Sequence, residues 1–349
     1  LSGGKGTRLR PITFTSAKQL VPVANKPILF YGIEAIRDAG ITDVGIVVGD
    51  THEEIRSAVG DGSRFGIKVT YIRQEQPLGL AHAVKVSRGF LGEEPFVMFL
   101  GDNLIKDGIT ALVREFERER PNCQILLARV KNPEEFGVAE LDGKQVVRLQ
   151  EKPKNPPTDL ALVGVYMFDP TVFDAVNAIL PSARNELEIT DAIQFLIDTH
   201  RDVRSHLITG WWKDTGKLED MLEANRIVLS GLERRIDGDV DTTSRVEGEV
   251  VIGKGSRVRA STLRGPLIVG ENCLIEEAFV GPFTSIHNGS IIQRSEIEHS
   301  ILLEEAKVIG LRHRIESSLL GRSVEITSRD TRPVTYRFLV GDMARIEVQ

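Results

Sequence analysis

Cysteine is scarce in this chain: Cys123 and Cys273 are the only two in 349 residues, far apart and in no CxxC pair. This excludes a disulfide scaffold and a thiolate metal site and fits a reducing compartment, so a cytoplasmic location is expected. No apolar run reaches the roughly 18 residues needed to cross a bilayer, and no charged-then-apolar signal segment opens the sequence, so no membrane partner is expected. Excess positive charge is missing too. The formal charge is −6 and no block of Lys and Arg occurs, which leaves no field for a nucleic-acid backbone, so nucleic acid is not an expected partner. The seven histidines include no close metal-spaced pair, and His52 and His82 read as helix-surface or edge residues. An initial methionine is also lacking: Leu1-Ser2-Gly3-Gly4 reads as the end of a buried strand, with a few residues expected before it. What is present is 41% hydrophobic and 27% charged residues, over a length sufficient for two domains with separate cores.

From Leu1 to about Leu229, short β-rich runs alternate with helical patterns, as a parallel sheet with crossover helices requires. Strands are expected at Val44 to Val48, Ile67 to Ile72, Phe96 to Leu100 and Gln124 to Val130. Helices are expected near Pro27 to Ala39, Glu53 to Val59, Ala81 to Ser87, Ile109 to Glu119 and Leu218 to Leu229, with Pro27 suited to a first turn. Beyond Ile236 the pattern changes. Apolar residues return about every sixth position, at Val240, Val246 and Val258, then strictly at Ile268, Leu274, Val280, Ile286 and Ile292. Ile297, Leu302 and Val308 continue with slips of one residue. Gly253, Gly270, Gly281 and Gly289 stand where short strands would turn. A prism of stacked parallel-strand coils explains this better than a β-sandwich, whose turn signals come about every 8 to 12 residues. The expected domains are 1–235 and 236–349, with the repeat dissolving into a tail after Arg322.

Three glycines in Gly3-Gly4-Lys5-Gly6-Thr7-Arg8 let a backbone bend tightly and approach a ligand, and its amides suit phosphate. The loop is neither a Walker A motif nor a dinucleotide fingerprint, since Leu9 stands where a third glycine would be. Arg8 and Lys18 add a planar fork and a compact mobile charge on the same connection. Either alone reads as a solvated charge, but the pairing with the glycine loop points to a triphosphate. Asp102, directly after an apolar strand, sits where ligands of open α/β sheets bind; as a turn residue in Gly101-Asp102-Asn103 it is equally well explained. Asp214, after Trp211-Trp212-Lys213, carries the same two readings. Two carboxylates are the usual protein share of a magnesium site completed by phosphate oxygens and water. Glu151-Lys152-Pro153 adds an acid and a base at a strand end.

These segments resemble the sugar nucleotidylyltransferases, through Gly3-Gly4-Lys5-Gly6-Thr7-Arg8-Leu9-Arg10-Pro11 and Lys18-Gln19-Leu20-Val21-Pro22. The match continues through Gln74 to Leu80, Leu100-Gly101-Asp102-Asn103, Glu151-Lys152-Pro153, Glu186-Leu187-Glu188-Ile189-Thr190-Asp191 and Trp212-Lys213-Asp214-Thr215-Gly216. Lys18-Gln19-Leu20 is most similar to the glucose-1-phosphate thymidylyltransferase branch, and the repeat segment to its long form. The resemblance implies a Rossmann-like α/β domain with a mixed sheet, then a left-handed parallel β-helix. It implies dTTP and glucose 1-phosphate as substrates and Mg²⁺ as cofactor, held by Asp102 and Asp214. Leu1, Ser2, Gly3, Gly4, Gly6 and Thr7 would line the nucleotide, Arg8 and Lys18 the triphosphate, and Gln74 and Gly79 the base, where an amide offers both donor and acceptor. Lys152 would hold the sugar phosphate, with Gly137, Glu151, Leu162, Gly164 and Trp212 around the sugar. Val163 departs from the short forms, which carry a hydroxyl residue there.

Three other readings stand beside this one. UTP differs from dTTP by one methyl group, worth roughly 1–3 kcal/mol in a pocket. Acyl transfer in the repeat domain would need His287, His299 or His313 as a base, and no long loop is evident to cover an acyl carrier. A silent sugar-nucleotide sensor or assembly subunit should have lost a metal carboxylate or phosphate cation, yet Arg8, Lys18, Asp102, Lys152 and Asp214 are all present. Self-association through the flat faces of the β-helix is expected.

Overall fold

The computed structural model describes residues 1–2, 9–14, 16–143, 145–328 and 336–348. The chain packs as two compact units. One holds Leu1 and Ser2, residues 16–20 and residues 28–214; the other holds the described parts of 9–14, 21–27 and 215–349. The packing boundary therefore lies at Thr215, not at 236, because the helix Leu218–Leu229 covers the β-helix of its own unit. None of the helices among the described residues is long and apolar enough to cross a membrane.

In the first unit, six strands lie in the order Phe96–Phe99, Leu160–Phe168, Cys123–Arg129, Val203–Leu207, Gln145–Glu151, Gly137–Asp142. Leu160–Phe168 is nine consecutive buried residues, a strand covered on both faces. It runs antiparallel to both Phe96–Phe99 and Cys123–Arg129, whereas Val203–Leu207 runs parallel to Cys123–Arg129. The sheet is thus mixed, as the resemblance implied, although the alternation of strand and helix patterns by itself suggested parallel strands. Alternation identifies elements without giving their direction, and the antiparallel hairpin Gly137–Asp142/Gln145–Glu151 needs no crossover helix. Asp43–Val48 and Lys68–Arg73 form a separate parallel pair. Leu1 and Ser2 connect that pair to the larger sheet. The Ser2 N–H donates to the Val47 carbonyl at 2.8 Å, and the Gly101 N–H donates to the Leu1 carbonyl at 2.8 Å.

Helices pack where their apolar stripes direct them. Ile28–Asp38 buries Leu29 and Ile33; Thr110–Glu119 buries Leu112, Val113 and Phe116; Ile189–Asp198 buries Ile193 and Leu196. Pro27 is not in a helical first turn. Lys26–Pro27 pairs antiparallel with Pro22–Val23 across a turn at Ala24 and Asn25, both with positive φ, and the helix starts one residue later.

The second unit contains a β-helix whose three parallel sheets have six, six and five strands. Val250 pairs with Leu267 and Leu267 with Thr284, a step of 17 residues per coil. Of the residues singled out by the repeat, Val258, Val280, Ile286, Ile292, Ile297, Leu302 and Val308 are all fully buried in the coil interior. The expectation fails at Ile268 and Leu274. Val269 and Ile275 point inward there, because the coil closes with steps of six, five and six residues and a one-residue slip puts a side chain on the opposite face. Turns fall at the expected glycines; a Cβ on Gly253 would stand 2.5 Å from the Gly270 carbonyl of the next coil. Stacking continues past Arg322 to Glu325–Thr327, which pairs with Lys307–Ile309.

One outward-facing row of this β-helix is itself covered. Val251, Ser285 and Ile301 are buried although they face away from the coil interior. Asn225, fully buried on the helix Leu218–Leu229, accepts from the Ala24 N–H (2.8 Å) and the Ser285 hydroxyl (2.6 Å) and donates to the Phe283 carbonyl (3.0 Å). Asn25 donates to the Ile286 carbonyl at 2.7 Å. The 22–27 turn and the helix are thereby fastened onto the same coil.

The register predicts unequal costs at adjacent positions. Ile275→Ala should cost about 2–4 kcal/mol of stability, and Leu274→Ala, half-exposed on the outer face, less than about 1 kcal/mol. Denaturant melts of the two variants check this, and a larger loss for Leu274→Ala would reject the inward assignment.

Candidate active site

A short antiparallel ribbon builds the centre of the site. Trp212–Asp214 pairs with Asn103–Ile105, placing Asp214 opposite Asn103 and next to Asp102. Two carboxylates from distant parts of the chain are thereby held close together. The Lys18 ammonium lies between them, 2.6 Å from Asp102 Oδ2 and 3.7 Å from Asp214 Oδ1. Burial opposes ionisation of Asp102, but the charge and hydrogen bond of Lys18, with the Asn103 amide, outweigh it and hold the carboxyl below its ordinary range.

Asn103, 3% exposed, joins several parts of the site. Its Nδ2 donates to Asp102 Oδ1 at 2.9 Å, and its Oδ1 accepts from the Gly164 N–H at 3.2 Å and from the Trp212 indole N–H. Only a glycine fits at 164, since a Cβ would stand 2.7 Å from the Asn103 amide. Phe136 packs edge-on against Trp212 with ring centroids 5.3 Å apart. Val163, the departure noted in sequence, is fully buried in the core, so it presents nothing to a ligand.

Beyond Gly164 lies a second charged group. Gly137 pairs directly with Glu151, and a Cβ at 137 would approach Glu151, Thr190 and Leu162. Glu151 Oε1 accepts from Arg184 at 3.2 Å, and Lys152 Nζ lies 3.9 Å away. Arg184 also grips the buried Glu188 through both carboxylate oxygens, at 3.0 and 2.7 Å. Burial first, then the neighbouring Glu188, pushes the Glu151 carboxyl above its ordinary value, against the opposing pull of Lys152, Arg184 and Thr190. Gly137, Glu151, Lys152 and Leu162 lie together here, and Gly164 and Trp212 meet at Asn103. Arg184 and Asn103 were not singled out in the sequence. Arg184 sits in an irregular loop with no local signal, and Asn103 reads as an ordinary turn residue until its burial is known.

Gln74 and Gly79 lie at the ends of the parallel pair. The Gln74 N–H donates to the Val48 carbonyl at 2.9 Å, continuing the strand Lys68–Arg73 onto the edge where Ser2 pairs with Val48. A Cβ on Gly79 would collide with the Leu187 carbonyl at 2.4 Å, and its φ of 101° favours glycine. His82 is half-buried on the helix Leu80–Val86, with its Nδ1 3.0 Å from Gln74 Nε2. Gly3, Gly4, Gly6, Thr7 and Arg8 lie outside the described residues.

Among the described residues, no group of three or more His, Cys, Asp or Glu side chains is placed to hold a metal by itself. Asp102 and Asp214 nevertheless offer the hard oxygen donors that Mg²⁺ prefers, and a cation, Lys18, already lies between them. The donor set fits a magnesium ion completed by substrate oxygens.

Comparison with known proteins agrees with this geometry. Residues 1–231 match the nucleotidyl transferase family. The chain is 56% identical over its full length to the glucose-1-phosphate thymidylyltransferase of Streptomyces griseus, covering 98% of that protein. It is 44% identical to a low-salt glycan biosynthesis nucleotidyltransferase of Haloferax volcanii, covering 100% of this chain and 99% of the relative. Among solved structures, a Bacillus anthracis protein in complex with a sucrose superposes with a TM-score of 0.61 at 35% identity, over 65% of this chain and 92% of that one. A UDP-glucose pyrophosphorylase complexed with UDP-glucose gives 0.59 at 25% identity, over 66% and 96%. The match over residues 1–231 and the identity to relatives along its whole length show that this chain belongs to the nucleotidyl transferase family.

Proposed function

We propose that the chain is a glucose-1-phosphate thymidylyltransferase, forming dTDP-glucose and pyrophosphate from dTTP and glucose 1-phosphate. The observation that carries the chemistry is the placement of Lys18 between Asp102 and Asp214. The choice of dTTP and glucose 1-phosphate is supported by the full-length Streptomyces relative that bears this activity in its name.

The reaction joins two anions, so repulsion is the obstacle. A phosphate oxygen of the sugar substrate attacks the α-phosphorus in line; the bond to the β-phosphate oxygen breaks, and pyrophosphate carries away the electron pair. No base is required, because a sugar phosphate is ionised at neutral pH. Catalysis then depends on positioning and on electrostatic stabilisation. Asp102 and Asp214 would hold Mg²⁺, which would supply Lewis-acid neutralisation of phosphate oxygens. Lys18 contributes a mobile cation that turns from the carboxylates to the triphosphate, and Arg8 joins it there. Lys152 and Arg184 bring two cations to the sugar phosphate. Glu151 accepts hydrogen bonds from sugar hydroxyls, while the side-chain-free backbone at Gly137 and Gly164 leaves the ring room. Asn103 keeps the Asp102 carboxylate in register with Gly164, so the metal side and the sugar side keep a fixed spacing.

Pyrophosphate release from dTTP and UTP, each against glucose 1-phosphate and its N-acetylated amine analogue, tests the reading. The expected result is turnover with glucose 1-phosphate and preference for dTTP over UTP, with Asp102→Ala lowering kcat at least about 100-fold. Binding of both substrates without pyrophosphate release would leave a sugar-nucleotide binding protein instead.

The raised Glu151 pKa gives a second prediction. Its charged form is the better acceptor, so the KM for glucose 1-phosphate should rise on acidification, beginning above the ordinary glutamate range, and Glu151→Gln should remove that dependence. A KM profile parallel in wild type and variant would exclude Glu151 as the titrating group.

Self-association through a face of the β-helix completes the proposal. Sedimentation velocity of the intact protein should give an oligomer, and a monomer at micromolar concentration would reject it.

A further inference from the structure

We infer that His82 is a positioning residue for nucleotide selection: by accepting from the Gln74 amide nitrogen, it leaves only the Gln74 carbonyl to read a base, which suits a pyrimidine bearing a ring N–H. The inference rests on the proposed nucleotide reading of this edge and goes beyond it, by fixing which half of the amide reads the base and what fixes it.

A glutamine amide can present either face of its head group, so alone it does not distinguish a base that donates from one that accepts. Here the Gly79 carbonyl, which can only accept, sets the orientation, and His82 takes the second N–H in the tautomer that leaves its Nδ1 bare. Gln74 Nε2 lies 3.1 Å from the Gly79 carbonyl and 3.0 Å from His82 Nδ1. Both of its N–H bonds are thereby used. Reversing the amide would set Oε1 against the Gly79 carbonyl, oxygen to oxygen, in a residue only 9% exposed. Among the described residues no donor is recorded on Gln74 Oε1, so that atom is left for a ligand.

The neighbours of this pair are fixed by backbone. The Gly79 carbonyl also accepts the Ala83 N–H at 3.3 Å as the helix Leu80–Val86 begins. The Ala81 N–H donates to the Leu187 carbonyl at 3.0 Å, and the Leu187 N–H donates back to the Leu78 carbonyl at 2.7 Å. His82 is therefore carried on a helix whose first turn is pinned, with its ring opposite Gln74. Burial first, and then the nearby Lys85, lowers the His82 pKa. At neutral pH the ring is therefore uncharged, and the contact with Gln74 selects the tautomer with a bare Nδ1.

Thymine and uracil carry a hydrogen on N3, which the Gln74 carbonyl accepts. Cytosine has a bare N3, which would face that carbonyl lone pair to lone pair. The arrangement thus admits dTTP and UTP and opposes dCTP, a distinction separate from the methyl group that divides dTTP from UTP.

The test compares His82→Leu, which removes the acceptor, with His82→Asn, whose Oδ1 falls near the place of Nδ1. Steady-state kinetics with dTTP, dCTP and glucose 1-phosphate are read on the intact enzyme, with His82→Ala as a second acceptor-free variant in case the leucine prevents folding. Loss of one neutral hydrogen bond should raise the dTTP KM about three- to tenfold and lower the dTTP-to-dCTP selectivity by a similar factor. In these variants kcat and the glucose 1-phosphate KM should change less than about twofold, and His82→Asn should restore dTTP KM and selectivity. A wild-type dTTP KM in both acceptor-free variants would overturn the inference, as would a loss in His82→Asn equal to theirs, which would mean that ring packing alone matters. A wild-type enzyme inactive with dTTP would overturn the proposed function along with it.

Discussion

Two carboxylates held side by side repel one another, and the centre of this molecule is arranged around that repulsion. The ribbon formed by Asn103–Ile105 and Trp212–Asp214 forces Asp102 and Asp214 together, and the Lys18 ammonium makes their joint ionisation tolerable. The same feature gives the site its use, since carboxylates that attract one cation will attract another. One ammonium offsets only one of the two negative charges, so the cluster keeps a net negative charge that favours a further cation.

The second charged group is governed by the same physics with the opposite outcome. Asp102 is held below its ordinary pKa by a cation in direct contact, whereas burial and Glu188 raise Glu151 despite Arg184 and Lys152 nearby. Such separation of two carboxyls in one site assigns them different work. On the proposed function, one stays charged to hold a cation and the other faces the sugar. Asn103 connects the two by spending its amide on Asp102, Gly164 and Trp212 at once, so an error in the register of the short ribbon would disturb both ends of the reaction.

The β-helix follows a different constraint, closure of a triangular coil. The 17 residues of its first coils do not divide into three equal steps, and the shorter step moves the inward residue from Ile268 to Val269 and from Leu274 to Ile275. Its outer surface is treated unevenly: one row, with Val251, Ser285 and Ile301, lies under the helix Leu218–Leu229 and the 22–27 turn, fastened by Asn225 and Asn25. A boundary drawn where helical periodicity ends therefore falls inside a packed unit.

Sequence by itself determined the elements, their order and the coil repeat, and it nominated most residues of the candidate site. Each of these is written in local spacing or in short motifs around glycine, lysine and aspartate: Leu218 to Leu229 is the helix expected, and folding sets Asp214 opposite Asn103, the neighbour of Asp102, and Gly137 opposite Glu151. Tertiary structure alone decided what depends on partners far away in the chain. Strand direction in the mixed sheet, the one-residue slip in the coil, and the parts taken by Arg184, Asn103 and His82 belong to this class. An amide, guanidinium or imidazole acquires its role from whichever acceptor or charge folding places within about 3 Å, and no local pattern encodes that distance.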